Sequence, residues 1–169
     1  MIEIALYFDG LCDPINPGGV AAYGWLYRLL DAEGLEGRTL LSGYGIGCIG
    51  DGATNNVAEW QAVINGLAEC KVAASRAGLR IGEYNLVVRG DSQLVCRQLA
   101  GKWKVHAENL RPLYERARKL LPPDSVVRWI PREENEAADA LSRKAYEVWR
   151  RANPEEAARL DAVAVRRPR

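Results

Sequence analysis

Asn55-Asn56-Val57-Ala58-Glu59-Trp60 opens the longest helical pattern in the chain. Asn55 or Asn56 suits the N-cap, where a side-chain oxygen accepts an orphan N–H of the first turn. Trp60, Val63, Ile64, Leu67 and Cys70 then recur at steps of three and four. That spacing lines one buried face of a helix running to about Ala77. Glu59 stands four residues before Val63, at the margin of that face and in the first turn. A carboxylate there is partly desolvated, which is costly unless it meets a cation. A helix dipole also favours a first-turn Glu with no site nearby. The decision therefore rests on whether other carboxylates converge on Glu59.

Upstream, Ile2 to Asp9 is rich in β-branched and aromatic residues and reads as a strand. Gly10 to Gly19, with two prolines and three glycines, reads as a turn-rich loop. Val20 to Leu30 is a second strand with Tyr23, Trp25 and Tyr27 on one face, and Arg38 to Ile49 a third, weakened by glycines. Three strands with short links predict an antiparallel meander. Downstream, Tyr84 to Gly90 is a fourth strand, and a short helix runs from Asp91-Ser92 to about Leu99. A helix from about Glu108 to Leu121, a strand from Val126 to Ile130 and a helix from about Glu134 to Arg150 follow. Strands alternating with helices predict parallel additions to the meander's sheet, with helices on its faces. Residues 1–150 read as one domain. Residues 151–169 read as a tail, with Pro154 at the first position of a short helix and a basic end that is either frayed or docked.

Composition excludes several classes. With 48% hydrophobic and 27% charged residues, the chain is neither collagenous nor disordered. No apolar run reaches the length of a membrane span, and the start of the chain lacks the basic segment and cleavage site of a signal peptide. Cys12, Cys48, Cys70 and Cys96 are widely spaced and, with a single histidine, make a poor zinc site. Free thiols in a reducing cytoplasm are the expectation. A net charge of +1 gives no global pull on a polyanion, so any such site must be a local patch.

Four acids sit at element ends. Asp9 closes the first strand, Asp91 closes the fourth, Glu59 opens a helix, and Asp139 lies in the second turn of the last helix beside the stripe Ala138, Leu141, Ala145 and Val148. Ligand sites in α/β sheets form beyond the carboxyl ends of strands. Four converging carboxylates repel unless cations neutralise them, and an all-oxygen set suits Mg²⁺ or Mn²⁺. Two such ions about 3.5–4 Å apart are a standard device for attack on a phosphodiester. Each acid alone also reads as a cap or a surface charge, and Asp91 is a fair N-cap.

Phe8-Asp9-Gly10, Asn16-Pro17-Gly18-Gly19, Thr54-Asn55-Asn56-Val57-Ala58-Glu59, Gly90-Asp91-Ser92-Gln93-Leu94-Val95 and Asn135-Glu136-Ala137-Ala138-Asp139 occur in that order. Together they resemble the motifs of a type 1 ribonuclease H, of the ribonuclease H-like superfamily and its reverse-transcriptase-associated subgroup, from Ile4 to about Ala145. The resemblance implies an α/β ribonuclease H-like fold: a five-stranded mixed sheet, its first three strands antiparallel, with helices on both faces. It implies an endonuclease that hydrolyses the RNA strand of RNA–DNA hybrids with two Mg²⁺ ions (Mn²⁺ substituting), leaving 5′-phosphate and 3′-hydroxyl ends. Asp9 would bridge both ions, Asp139 complete the ion that activates water, and Glu59 and Asp91 hold the other. Backbone at Gly10, Leu11 and Cys12, with Asn16 nearby, would meet 2′-hydroxyls. Asn55, Asn56 and Gln93, beside Ser92, would enter the minor groove, and Thr54 would grip a DNA phosphate. A monomer in the cytoplasm, with no membrane partner, is expected.

Lys102-Trp103-Lys104-Val105-His106 interleaves basic and aromatic groups, as a phosphate-tracking surface does; a solvated loop around a core tryptophan has the same sequence. The chain departs from the resembled family at two places. Leu99 to Asn109 is too short for the extra helix and basic protrusion of the best-known members. The loop Trp129 to Asn135 lacks the histidine that many relatives carry there. Arg132 and Glu136 are the candidates for its role. A binding module of the same fold, or a nuclease acting on double-stranded RNA or DNA, are the competing functions.

Overall fold

The computed structural model describes residues 1–167. β1 (Ile2–Asp13) is the centre of a five-stranded sheet of order β3-β2-β1-β4-β5. It runs antiparallel to β2 (Val20–Leu30), which pairs antiparallel with β3 (Glu36–Ile49). On its other side β1 runs parallel to β4 (Tyr84–Gly90), and β4 parallel to β5 (Val126–Trp129). The expected meander and its parallel additions are both present.

Alternation along β1 sorts its side chains between two cores. Ile4, Leu6 and Phe8 join Trp25, Tyr27, Leu86 and Val88 beneath helix α1 (Asn55–Ala68), whose Trp60, Val63, Ile64 and Leu67 are all buried. Ala5 and Tyr7 face the other way, with Leu26, Leu30 and Ala138 beneath helix α5 (Glu136–Ala152). Each fully buried large apolar side chain contributes about 1.5–3 kcal/mol, so the α1 side supplies most of the stability. Helices α2 (Cys70–Arg76), α3 (Gln93–Leu99) and α4 (Arg111–Leu120) complete that side, with Tyr114 edge-on to Trp60 at 5.9 Å. Among the described residues no helix is long and apolar enough to cross a membrane.

Several boundaries differ from the sequence reading. Gly10 to Asp13 is strand and not loop, because Val20–Tyr23 of β2 continues the pairing as far as Asp13↔Val20. The turn needs only the residues from Pro14 to Gly19. The long helix breaks at Glu69, whose N–H bonds back three residues to Gly66 at 3.1 Å; α2 then keeps Cys70, Ala73 and Ala74 buried. The cap of α1 is neither asparagine but Thr54, whose hydroxyl accepts from Val57 N at 3.1 Å. Glu59 is the fifth residue of α1 and lies past its first turn, because the helix already starts at Asn55; Asp139 lies in the first turn of α5, which begins at Glu136, and Val148 is exposed, off the buried stripe. The tail forms a helix, α6 (Pro154–Arg166), that includes Val163 to Arg166. Pro168 and Arg169, at the basic end, lie outside the described residues.

Candidate active site

β1 and β4 are parallel neighbours with Phe8 opposite Gly90, the last residue of β4, so Asp91 follows the end of β4 beside Asp9, which lies inside the longer β1. Ser92 caps α3 by accepting from Val95 N at 3.3 Å, which releases the Asp91 side chain from capping. Trp129 Nε1 donates to the Asp91 carbonyl at 3.0 Å and holds that backbone to β5. Two glycines bring in the other acids. A Cβ on Gly10 would stand 2.4 Å from the backbone of Ala58 and Glu59, so only glycine lets α1 settle onto β1 with Glu59 beside Asp9. A Cβ on Gly24 would stand 2.5 Å from Leu141 Cβ and Ser142 N, so α5 makes the same close approach on the opposite face and carries Asp139 with it. Asn135, 1% exposed at the start of α5, donates from Nδ2 to the Phe8 carbonyl at 2.9 Å.

Oxygens of Asp9, Glu59 and Asp91 lie within 4.8 Å of one another. Burial, and then the negative Asp91, push the Asp9 carboxyl up to about 7. Burial and Asp9 raise Glu59 well above the carboxylate range, and burial raises Asp91, partly offset by the Asn135 amide and the Arg132 guanidinium. Asp139 lines the same cleft, and its carboxylate also accepts from Arg143 Nε at 3.0 Å. The structure therefore brings three acids together and sets the fourth on the cleft wall.

Glu59 Oε2 is buried without a hydrogen-bond partner. A buried carboxylate oxygen in that state costs free energy unless something positive reaches it. Cys96 is close enough to feel Glu59, but burial pushes its thiol up to about 12, so it offers no thiolate. What remains is a hard, anionic, all-oxygen donor set, which fits a divalent cation of the magnesium or manganese type.

The cleft around these acids encloses about 780 Å³, and Gly10, Leu11, Cys12, Asn16, Asn55 and Ser92 all line it. Asn16 Oδ1 accepts from Asn55 N at 3.2 Å, which closes the wall between the β1–β2 turn and α1. Thr54 is half-buried in its capping role. Asn56 faces a second, shallower groove of about 610 Å³ with Lys102, Trp103, Lys104 and His106. Trp103 is 46% exposed with the Arg97 guanidinium 5.1 Å above its ring, so it is not a core residue. Gln93 is exposed at the first position of α3 and lines neither cavity.

Arg132 lines the cleft, whereas Glu136 points into a different cavity beside Tyr7 and Arg89. His106 stands in the groove and not in the cleft. Sequence reasoning assigned no role to Arg143, Asn135 or Trp129. Arg143 was within reach, since an Asp and an Arg four residues apart on a helix face each other. Asn135 and Trp129 act on backbone carbonyls brought close only by the fold.

The family model described as "Reverse transcriptase-like" matches residues 18–145, a span that holds Glu59, Asp91 and Asp139 and begins after Asp9. A curated relative, Ribonuclease HI of Halobacterium salinarum, is 39% identical over 147 residues, which is 86% of this chain. The chain spans 65% of that relative's length. The crystal structure of RNase H1 from Halobacterium salinarum NRC-1 superposes with a TM-score of 0.67 at 35% identity, covering 86% of this chain and 98% of that one. LC11-RNase H1 in complex with RNA/DNA hybrid gives a TM-score of 0.68 at 30% identity, covering 84% and 95%.

Proposed function

Because the chain belongs to the reverse-transcriptase-like ribonuclease H family, we propose that it is an endonuclease hydrolysing the RNA strand of RNA–DNA hybrids. The observation that carries this reading is the trio Asp9, Glu59 and Asp91 within 4.8 Å, with a buried Glu59 oxygen lacking any partner. Asp9, Glu59, Asp91 and Asp139 would hold two Mg²⁺ ions, with Mn²⁺ able to substitute; such ions, when bound, neutralise charge on the phosphate and lower the pKa of water for in-line attack.

The remaining work falls to the chain's own groups. Hydrolysis breaks the bond between phosphorus and the 3′-oxygen, leaving a 5′-phosphate and a 3′-hydroxyl. The 2′-hydroxyl is what marks the RNA strand, and the backbone of Gly10, Leu11 and Cys12, with Asn16, lines the cleft where it would be gripped. Asn55, Asn56 and Gln93 carry amides that both donate and accept. They would bind minor-groove acceptors present on every base pair, without reading sequence. Thr54 would meet a phosphate of the DNA strand, and Ser92 would meet the duplex at the cleft wall. Lys102 and Lys104 would track phosphates, with Trp103 offering a flat face beside them. Arg132 lines the cleft, and its guanidinium would contact the phosphate and not exchange protons.

The reading takes residues 1–150 as the catalytic domain and 151–169 as an appended tail. It takes the protein as a monomer in the cytoplasm, where the free thiols of Cys12, Cys48, Cys70 and Cys96 stay reduced. Incubating end-labelled hybrid with the protein in Mg²⁺, Mn²⁺ or EDTA tests the core of it. Cuts in the RNA strand with 5′-phosphate ends, absent in EDTA, are expected. An uncut hybrid bound with good affinity would favour a binding module of the same fold.

A further inference from the structure

α5 starts at the cleft, with Asp139 in its first turn, and runs 17 residues away from it, about 25 Å at 1.5 Å per residue. The chain turns at Asn153 and α6 runs 13 residues, about 20 Å. Ala157 and Leu160 are buried on α6, and Arg150 grips Asp161 through two parallel bonds of 2.9 and 2.7 Å. Such a two-pronged pair fixes orientation as well as distance. The return run brings the end of α6 back to the β1–β2 turn, where Arg167 Nη1 donates to the Pro17 carbonyl at 2.9 Å. The neighbouring residue, Asn16, lines the cleft and holds Asn55.

Arg166 and Arg167 are exposed, and neither is in the ion pairs found among the described residues. A guanidinium has five donors, and Arg167 spends one on Pro17. The cleft is lined by five carboxylates, Asp9, Asp13, Glu59, Asp91 and Asp139, against the two guanidiniums of Arg132 and Arg143, and the whole chain carries only one net positive charge, so a polyanion needs cations at the cleft's margins. One margin, on the Asn56 side of the α1 start, has Lys102 and Lys104. The other, on the Asn55 and Asn16 side, has the end of α6.

The geometry points to Arg166 and Arg167 as a second phosphate-binding arm, set by the α5–α6 hairpin to hold the duplex backbone at the Asn16 margin of the cleft. The arm rests on the hybrid-nuclease reading, because the duplex it grips is the one that the cleft cuts. It gives α6 a task that packing alone does not require, and it supplies cations that the short Leu99–Asn109 segment lacks room for.

The test is the Michaelis constant for hybrid cleavage as a function of salt, for the wild type, Arg166→Ala/Arg167→Ala, Arg167→Lys and Lys102→Ala/Lys104→Ala, each with its melting temperature. Each lost phosphate contact lowers the slope of log affinity against log salt by roughly 0.7–0.9. The double arginine variant should show a slope reduced by about one to two and a Michaelis constant raised about tenfold at moderate salt, with the turnover number kept. Arg167→Lys should keep most of the slope. The lysine pair should show a loss of similar size. If the double arginine variant keeps the wild-type slope and Michaelis constant, whether or not its melting temperature falls, the arm does not exist. Failure of the wild type to cut hybrid at all overturns the underlying reading instead.

Discussion

Asn135 and Phe8 stand 127 residues apart in sequence and 2.9 Å apart in space, the Asn135 Nδ2 donating to the Phe8 carbonyl. This one bond ties the start of α5 to the stretch of β1 that carries Asp9. Asn135→Ala removes the donor from a buried site and should cost about 1–3 kcal/mol of stability. It should also let Asp139 drift relative to Asp9, and a displacement of about 1 Å costs on the order of a hundredfold in rate. Melting temperature and turnover number, measured on the same preparation, check both. Turnover within about twofold of the wild type would show that the bond does not position the site.

Asp9→Asn should abolish hybrid cleavage without unfolding the protein. Asp9 lies 7% exposed between Glu59 and Asp91, so removing its charge relieves repulsion in the metal-free state. The expected metal-free melting temperature is equal to or above that of the wild type. Near-full activity in Mg²⁺ would put the site elsewhere.

The same cluster makes stability depend on pH and metal together. Asp9 rises from an ordinary 3.8 to about 7 in the fold, and Glu59 and Asp91 rise too. A folded-state pKa above the unfolded one means that the native state holds the extra proton. The stability this contributes is complete below the ordinary carboxyl pKa and is lost as pH rises through about 7. Without metal, this contribution should lower the melting temperature between about pH 5.5 and about pH 8. Bound Mg²⁺ or Mn²⁺ replaces the protons, so the thermal stabilisation by metal should grow over the same interval. A metal-induced shift that is equal at both pH values would separate the cluster from the metal.

Gly10→Ala tests how Glu59 reaches the cluster. The new methyl group would meet the backbone of Ala58 and Glu59 at 2.4 Å, where no side chain can swing aside. The expected result is a stability loss of about 1–3 kcal/mol from overpacking. α1 would be lifted from β1, and activity should fall further than stability alone explains. Cleavage and melting temperature both unchanged would mean that α1 accommodates the methyl group without moving Glu59.

Local pattern made much of the fold legible. The stepped Trp60, Val63, Ile64 and Leu67 announce the face of α1 that packs on the sheet, and it is buried as read, against Ile4, Leu6 and Phe8 of β1. The four acids were legible from their places near element boundaries, although β1 continues past Asp9 to Asp13 and Glu59 sits beyond the first turn of α1. What stayed hidden was settled by partners distant in sequence. Gly10 to Asp13 looks like a loop until Val20–Tyr23 pairs with it. Thr54 and the two asparagines are all good caps, and Thr54 takes the place while Asn16 accepts the Asn55 N–H. Trp103 has the same sequence context whether buried or exposed, and packing alone decides that it is exposed.

The cleft is taken to cut the RNA strand of an RNA–DNA hybrid and to leave duplex DNA intact. Initial rates on one sequence made as RNA–DNA hybrid, duplex RNA and duplex DNA, with Mg²⁺ and with EDTA, test it most directly. The expected result is cleavage of the hybrid's RNA strand in Mg²⁺, none in EDTA, and an intact DNA duplex, which has no 2′-hydroxyl for the Gly10–Cys12 backbone to hold. Cleavage of the DNA duplex at a rate comparable to the hybrid would contradict it, even with all four carboxylates shown to bind metal.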